Sequence, residues 1–108
     1  MTRRRVLFVS RGRIALPLVP WLARKWDALS EVFEVRALNS GIGSSDARFH
    51  LLPESSLAFY PGLAPIVARE LRAFDADVVV ASDPYVGAGV LAGRALARSS
   101  AKVIVEAH

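Results

Sequence analysis

The sequence predicts an α/β protein built on a doubly wound parallel sheet. Three short apolar runs rich in β-branched residues, at 5–10, 77–81 and 102–107, are typical of strands that are buried on both faces. Segments with helical spacing separate the strands, and the last of them joins two apolar runs into a βαβ unit. The order β-α-β-β-α-β-α-β predicts a sheet order of 3-2-1-4-5, with the three runs adjacent. This is the pattern of a Rossmann-like three-layer sandwich.

Prolines and one capping aspartate mark the predicted boundaries of the helices. Pro61 and Pro65 are expected to confine the second helix, because a helix interior tolerates proline poorly. Asp83 is a good N-cap, and Pro84 follows it at the position where a helix tolerates proline best. The predicted strands are 5–10, 33–38, 48–52, 76–81 and 102–107, the predicted helices are 17–30, 62–74 and 86–98, and the predicted loops include 11–16 and 39–47.

Two tryptophans and three glycines are expected to serve packing rather than ligand binding. Trp21 and Trp26 are interpreted as packing between helix and sheet rather than as ligand platforms. Gly87, Gly89 and Gly93 resemble the glycine pattern of a dinucleotide-binding fingerprint, but that motif occupies the turn after a first strand. Here the glycines follow a helix cap, which favours close packing of the helix on the sheet.

Composition and charge limit the classes of function. The chain has 108 residues, 53% of them apolar, and no cysteine, which excludes disulfides and thiolate metal sites. No stretch approaches the ~20 consecutive apolar residues of a membrane span. The expected location is cytoplasmic, and no signal peptide is expected because polar residues interrupt the apolar run after the first arginines.

Positive charge is concentrated at the start of the chain, which carries a net charge of +4. This basic start leaves three interpretations open: a solvated segment, peripheral contact with the inner face of a membrane, or contact with a phosphate-bearing ligand. Nucleic acid is not an expected partner, because the basic residues are not interleaved with exposed aromatic ones. The arginines concerned are Arg3, Arg4, Arg5, Arg11 and Arg13.

The candidate site residues follow the carboxyl ends of the predicted strands, where parallel sheets bind ligands. Arg11, Gly12 and Arg13 form the predicted turn after the first strand, and the next helix would direct its amides toward a phosphate there. A plain βα turn is the alternative. Asp83 is a candidate substrate-binding residue, with helix capping as the alternative. His108 is a candidate catalytic residue, since histidine can shuttle a proton near neutral pH. No metal cluster is visible.

Three stretches together resemble the start of a GT-B glycosyltransferase. They are the first strand with its turn and helix, Phe-Asp-Ala-Asp-Val-Val-Val at 74–80, and Val-Ile-Val-Glu-Ala-His at 103–108. The chain is most similar to the retaining, nucleotide-sugar-dependent family (family 4-like) that includes sucrose-phosphate and lipopolysaccharide-core enzymes. Those enzymes carry a "PDVV" strand and later a histidine followed by glycine. Asp77 matches the aspartate of the first motif, where Ala76 replaces proline, and His108 matches the histidine. The glycine-rich first turn is reduced to Gly12.

The resemblance implies that residues 1–108 are part of the acceptor-side, N-terminal domain of a hexosyltransferase. A second domain would bind the nucleotide-sugar donor, so the 108-residue chain alone is expected to be inactive. His108 would lie near the transferred sugar, the partners would be a nucleotide-sugar and an acceptor, and no metal or other cofactor is expected. The alternatives are another GT-B enzyme, such as a sugar epimerase, and a flavodoxin-like or receiver-type binding module. A receiver would need acidic residues after its first strand, and 6–13 contains none.

Overall fold

The structure, a computed structural model, describes residues 3–43, 46–52 and 56–106. Five strands form one sheet in the order β3-β2-β1-β4-β5, and every neighbouring pair is parallel. This confirms the predicted doubly wound, Rossmann-like α/β fold and the predicted order. The elements are β1 (Arg5–Ala15), α1 (Pro20–Val32), β2 (Glu34–Ile42), β3 (Phe49–Leu52), α2 (Ser56–Phe74), β4 (Val78–Ala81), α3 (Pro84–Ala97) and β5 (Lys102–Val105).

Alternation along β1 divides the protein into three layers. Leu7 and Val9 are fully buried on the face that carries α2 and α3, and Phe8 points to the face that carries α1. Because successive side chains of a strand point to opposite faces, β1 supplies both cores. The larger core lies between the sheet and the α2–α3 pair. None of the helices in the described ranges is long and apolar enough to cross a membrane.

The smaller core is centred on Trp26 of α1. Its ring makes edge-to-face contacts with Phe8, at 5.2 Å between centroids, and with Phe49, at 5.0 Å. Trp26 is therefore the packing residue that the sequence predicts. The same prediction is wrong for Trp21, which is 65% exposed. Five residues separate the two, about 140° around a helix, so both cannot face the same sheet.

The three glycines of α3 permit close contacts with two different neighbours. A Cβ on Gly87 would lie 2.9 Å from a methyl group of β5, which matches the predicted helix–sheet packing. Gly89 and Gly93 instead face α2, where a Cβ on Gly93 would lie 2.7 Å from Cβ of Val67. The glycines thus allow α3 to approach both the sheet and α2, and none of them lies at a strand-to-helix turn.

Two kinds of predicted boundary are wrong, one helix start and two strand ends. Helix α2 begins at Ser56 and passes through Pro61 and Pro65, where the sequence predicts a start at residue 62. Each proline removes one backbone hydrogen bond, and burial of Leu63 and Val67 in the larger core offsets that loss. The second error concerns 11–16 and 39–47, predicted as loops: β1 continues to Ala15, and β2 continues to Ile42.

Candidate active site: a cleft at the switch point of the sheet

A cleft of about 310 Å³ opens between the carboxyl ends of β1 and β4. The chain leaves β1 toward β2 and leaves β4 toward β5, in opposite directions across the sheet. Such a reversal of strand order leaves a crevice, and open α/β sheets bind their ligands there. Phe8 and Trp26 contribute apolar surface to the cleft, and its polar residues are Ser10, Lys25, Asn39, Ser82 and Glu106.

Backbone pairing places three of the polar residues at the ends of neighbouring strands. The Ser82 N–H donates to the carbonyl oxygen of Val9 at 3.0 Å, which ties the end of β4 to β1. The Glu106 N–H donates to the carbonyl oxygen of Ala81 at 2.8 Å. Ser10, Ser82 and Glu106 therefore form one rim, because each directly follows the last residue that pairs between β1, β4 and β5.

A braced bulge in β1 forms the neighbouring wall. The pairing of β1 with β2 is interrupted between Val9 and Arg13. Within the bulge, the Gly12 N–H donates to Ser10 Oγ at 2.9 Å, and Asn39 Nδ2 donates to the Gly12 carbonyl oxygen at 3.2 Å. Ser40 Oγ donates to the Arg11 carbonyl oxygen at 2.5 Å. Asn39 and Ser40 are buried, so these bonds satisfy side chains that water does not reach.

Lys25 brings a positive charge to the cleft from α1. It is exposed, and it forms no ion pair with any residue in the described ranges. Lys25 lines the same cleft as two serines and an asparagine. Such a lining suits a ligand that carries hydroxyls and a negative charge. The sequence pattern assigns Lys25 to the solvent face of its helix. Lys25 directly precedes the buried Trp26 in the sequence. This neighbour could have placed Lys25 at the border between the exposed and the buried face of α1.

The predicted site residues of β1 lie beside this cleft, in a setting that differs from the prediction. Arg11 and Gly12 belong to the bulge, and the Arg13 backbone pairs with Ser40 beyond it. The predicted βα turn at 10–13 is therefore wrong, because polar side chains of β2 hold this segment as a strand. Gly12 is nevertheless hydrogen-bonded to two residues that line the cleft, Ser10 and Asn39.

The start of α1 offers little to the predicted phosphate site, which stays a prediction. The helix begins at Pro20, four residues after the end of β1. Pro20 has no N–H, and the N–H groups of Leu22 and Ala23 both donate to the carbonyl oxygen of Val19, at 3.0 and 2.9 Å. Few amides therefore remain to bind an anion at this terminus.

Asp83 caps α3, as the sequence predicts. Its Oδ1 accepts from the Val86 N–H at 2.9 Å, and Pro84 occupies the first helical position. This carboxylate thus has a complete structural explanation, and a substrate-binding role for it stays a prediction. His108 lies outside the described residues, and its catalytic role stays a prediction too.

The aspartate of the "PD" pair lies far from the cleft, at the amino end of the sheet. Asp77 directly precedes β4, and its backbone oxygen accepts from the Lys102 N–H at 3.0 Å. In this structure Asp77 therefore contributes to the pairing of the strands and not to the cleft.

No group of three histidine, aspartate or glutamate residues in the described ranges could hold a metal ion. Comparison of the chain with protein-family models, with curated proteins and with solved structures gives no match. The resemblance to glycosyltransferases therefore rests on the motif residues of the sequence alone.

Proposed function

We propose that this chain is the acceptor-binding part of a glycosyltransferase that uses a nucleotide-sugar donor. The acceptor binds in the cleft between β1 and β4, and it is a sugar or similar polyol that carries an anionic group. A second domain supplies the donor site, and His108 serves as the catalytic residue beside the transferred sugar.

One observation supports the proposal above the others: Lys25 lines one cleft at the switch point together with hydroxyl, amide and aromatic side chains. Aromatic surface suits the apolar face of a sugar ring, and Ser10, Asn39 and Ser82 offer both donors and acceptors to its hydroxyls. The volume of about 310 Å³ is at the lower end for small-molecule sites. It suits one sugar unit rather than a whole dinucleotide.

The basic start of the chain lies at the opposite end of the sheet. Arg3 and Arg4 are exposed there, whereas Arg5 forms an ion pair with Glu34 at 2.8 Å. Within the proposal, peripheral contact with an anionic membrane through Arg3 and Arg4 leaves the cleft facing away from the lipid.

The fluorescence of Trp26 provides a test. The chain has two tryptophans, so Trp21→Phe leaves Trp26 as the only indole emitter. Titration with glucose 6-phosphate should change the Trp26 emission, with a dissociation constant on the order of 1 mM. Lys25→Met should weaken that binding about tenfold or more, because it removes a charge-assisted contact. Arg24→Met removes the adjacent exposed cation and should leave binding unchanged.

Other outcomes would contradict the proposal in distinct ways. Equal losses in Lys25→Met and Arg24→Met would indicate general electrostatic attraction without a site. No response to glucose 6-phosphate or to glucose would remove the acceptor assignment. Binding of flavin mononucleotide instead of the sugars would favour the flavodoxin-like alternative.

A further inference from the structure

Glu106 brings a negative charge to the cleft from the side of β5. Its backbone N–H donates to the carbonyl oxygen of Ala81 at 2.8 Å, so the residue continues the pairing of β5 with β4. Val105 packs against Gly87 of α3, where an added Cβ would lie 2.9 Å from a Val105 methyl group. Successive side chains of a strand point to opposite faces, so Glu106 points to the face that carries α1 and lines the cleft there.

The two charges of the cleft have opposite signs and come from opposite sides of it. Lys25 belongs to α1, which packs over β1 and β3 through Trp26. Glu106 follows β5, and the sheet order places β4 between β5 and β1. Two strand spacings amount to about 10 Å, which is comparable with the length of one hexose phosphate. All other residues that line the cleft, within the described part of the chain, are uncharged.

A carboxylate in this position selects for hydrogen-bond donors and against a second anion. An ionised carboxylate only accepts hydrogen bonds, and an ammonium group offers it charge-assisted ones that a hydroxyl does not. Glu106 already interacts within its own chain, and its two oxygens can accept from several donors. A ligand with negative charge at both ends is disfavoured, because like charges would meet on the side of β5.

We propose that Glu106 determines the specificity of the cleft and that the acceptor is an amino sugar that carries an anionic group. The anionic group lies at Lys25, the ammonium group contacts the Glu106 carboxylate, and the sugar ring rests on the apolar surface of Phe8 and Trp26. In glucosamine 6-phosphate, the amine is on C2 and the phosphorylated arm is on C5, which are opposite atoms of the ring. One such molecule therefore presents its two charges on opposite sides. This assignment rests on the proposed function, since it names the class of acceptor for the same cleft.

Two sugars that differ at a single substituent test the proposal. Glucosamine 6-phosphate has an ammonium group where glucose 6-phosphate has a hydroxyl, and both carry the same phosphate. At about pH 6 and low salt, where the amine is protonated, Trp26 emission of the Trp21→Phe chain should report about threefold to fivefold tighter binding of the amino sugar. Glu106→Gln should abolish this preference. It should leave the binding of glucose 6-phosphate within about twofold, because an amide oxygen still accepts from a hydroxyl.

Two further substitutions separate a specific contact from general electrostatic attraction. Lys25→Met removes the contact with the phosphate that both sugars share, so it should weaken both by the same factor and leave the preference intact. Glu31→Gln removes an exposed carboxylate of α1 that does not line the cleft, and it should leave the preference unchanged. A preference that falls equally in Glu31→Gln and Glu106→Gln would overturn the proposal, because it would follow the net charge of the protein.

The remaining outcomes distinguish this proposal from the proposed function. Equal binding of the two sugars by the Trp21→Phe chain would overturn the role of Glu106 and leave the acceptor cleft in place, and so would a preference that survives Glu106→Gln. No response to either sugar would remove both proposals. Circular dichroism of each variant confirms that the fold is retained. Should Glu106→Gln unfold the chain, carbon-13 NMR of the wild type provides the same decision. The side-chain carboxyl resonance of Glu106 must shift more with glucosamine 6-phosphate than with glucose 6-phosphate.

Discussion

Asp77 and Arg5 are joined by two hydrogen bonds at the amino end of the sheet. The Asp77 N–H donates to the Arg5 carbonyl oxygen at 2.8 Å, and the Arg5 N–H donates to Asp77 Oδ2 at 2.9 Å. The backbone oxygen of Asp77 also accepts from β5. One residue thus sets the register between β1, β4 and β5 before the apolar run begins.

Asp77→Ala should lower the free energy of unfolding by about 1–2 kcal/mol, because it removes a charged acceptor from a backbone N–H. Urea denaturation with a fitted midpoint provides the measurement. Asp75→Ala is the matched control: Asp75 is also exposed, and it lies 4.0 Å from an Arg5 nitrogen, at the limit of an ion pair. Equal effects of the two substitutions would mean that general charge, rather than the Asp77 hydrogen bond, stabilises this end of the sheet.

Gly93→Ala should destabilise the protein by about 1–3 kcal/mol, because the new methyl group would overpack the contact between α3 and α2. Its Cβ would meet Val67 Cβ at 2.7 Å and the backbone oxygen of Ala64 at 2.8 Å, and that backbone cannot move aside easily. Gly62→Ala in α2 provides the control, since the nearest atom to its Cβ is 4.0 Å away. We expect that variant to gain about 0.5–1 kcal/mol from improved helix propensity. Thermal unfolding of both variants would show the opposite signs.

The ion pair of Asp46 and Arg48 should make stability depend on pH in the acid range. Hydrogen bonds from the Arg48 side chain are the main cause that lowers the pKa of Asp46, and burial opposes them. A lowered pKa stabilises the fold above the unfolded-state value of about 4, and this stabilisation is lost as pH falls through the folded-state value. Asp46→Asn should therefore cost about 1 kcal/mol at pH 7, and the difference should shrink below about pH 4.

Urea titrations at pH 7, 5 and 3 would measure this difference. Asp27→Asn is the comparison, because Asp27 also pairs with Arg48, at 3.0 Å, while its side chain is 68% exposed. Its effect should be smaller, at most about 0.5 kcal/mol. A difference for Asp46→Asn that persists unchanged at pH 3 would contradict the assignment of the lowered pKa.

Arg11→Ala and Arg13→Ala should weaken the binding of glucose 6-phosphate if these residues contact the anionic group of the acceptor. The loss should fade as salt is added, because exposed charges are screened within about 10 Å at 0.1 M ionic strength. Titrations at 20 and 300 mM sodium chloride would separate this role from a structural one. A loss that is insensitive to salt would indicate that the substitution disturbed the bulge instead.

The 108-residue chain by itself should transfer no sugar from UDP-glucose to glucose 6-phosphate, because the proposal assigns the donor site to a second domain. Release of UDP, measured with a coupled assay, should stay at the rate of donor hydrolysis without protein. Turnover above that rate would place a donor site within residues 1–108 and would require a different division of the enzyme.

The parts of the fold that local chemistry determines could be predicted from the sequence. The β-branched runs identify β1, β4 and β5 as strands, and Asp83 with Pro84 marks the start of α3, since an apolar strand and a capped helix carry their signals within a few residues. The predicted burial of β5 on both faces is wrong, because Ile104 is 52% exposed and Val105 is 41% exposed. The bulge was missed because its cause is remote: the side chains of Asn39 and Ser40 hold Gly12 and Arg11 from another strand. The start of α2 was missed because its packing outweighs two unfavourable prolines.

The candidate site was predictable only in its location. Strand order places it where the pairing of β1 with β4 ends, and Ser10 and Ser82, which directly follow the last paired residues, line it. The presence of Lys25 in the cleft could not be predicted from strand order. Helical periodicity did not predict it either, because periodicity only assigns a residue to the buried or the exposed side of a helix. A position on the border between the two, over an open cleft, depends on where the helix begins and how it crosses the sheet.

The length of β1 relative to β4 determines from which side a ligand can enter. The last residue of β1 that pairs with β4 is Val9, whereas its pairing with β2 continues to Ala15. Between the partners of Val9 and Ala15, β2 advances four residues, so at about 3.3 Å per residue β1 and β2 rise together some 13 Å above the end of β4. The projecting ends of β1 and β2 block one side of the cleft, so a ligand can enter mainly from above β4 and β5. Beyond Leu52, the last residue of β3 that pairs with β2, the two strands continue as a two-stranded ribbon. Such a ribbon is marginally stable alone, and a ligand that rests against it should order it. Occupancy of the cleft should then slow hydrogen exchange at 13–15 and 40–42, at backbone positions that the ligand itself does not cover.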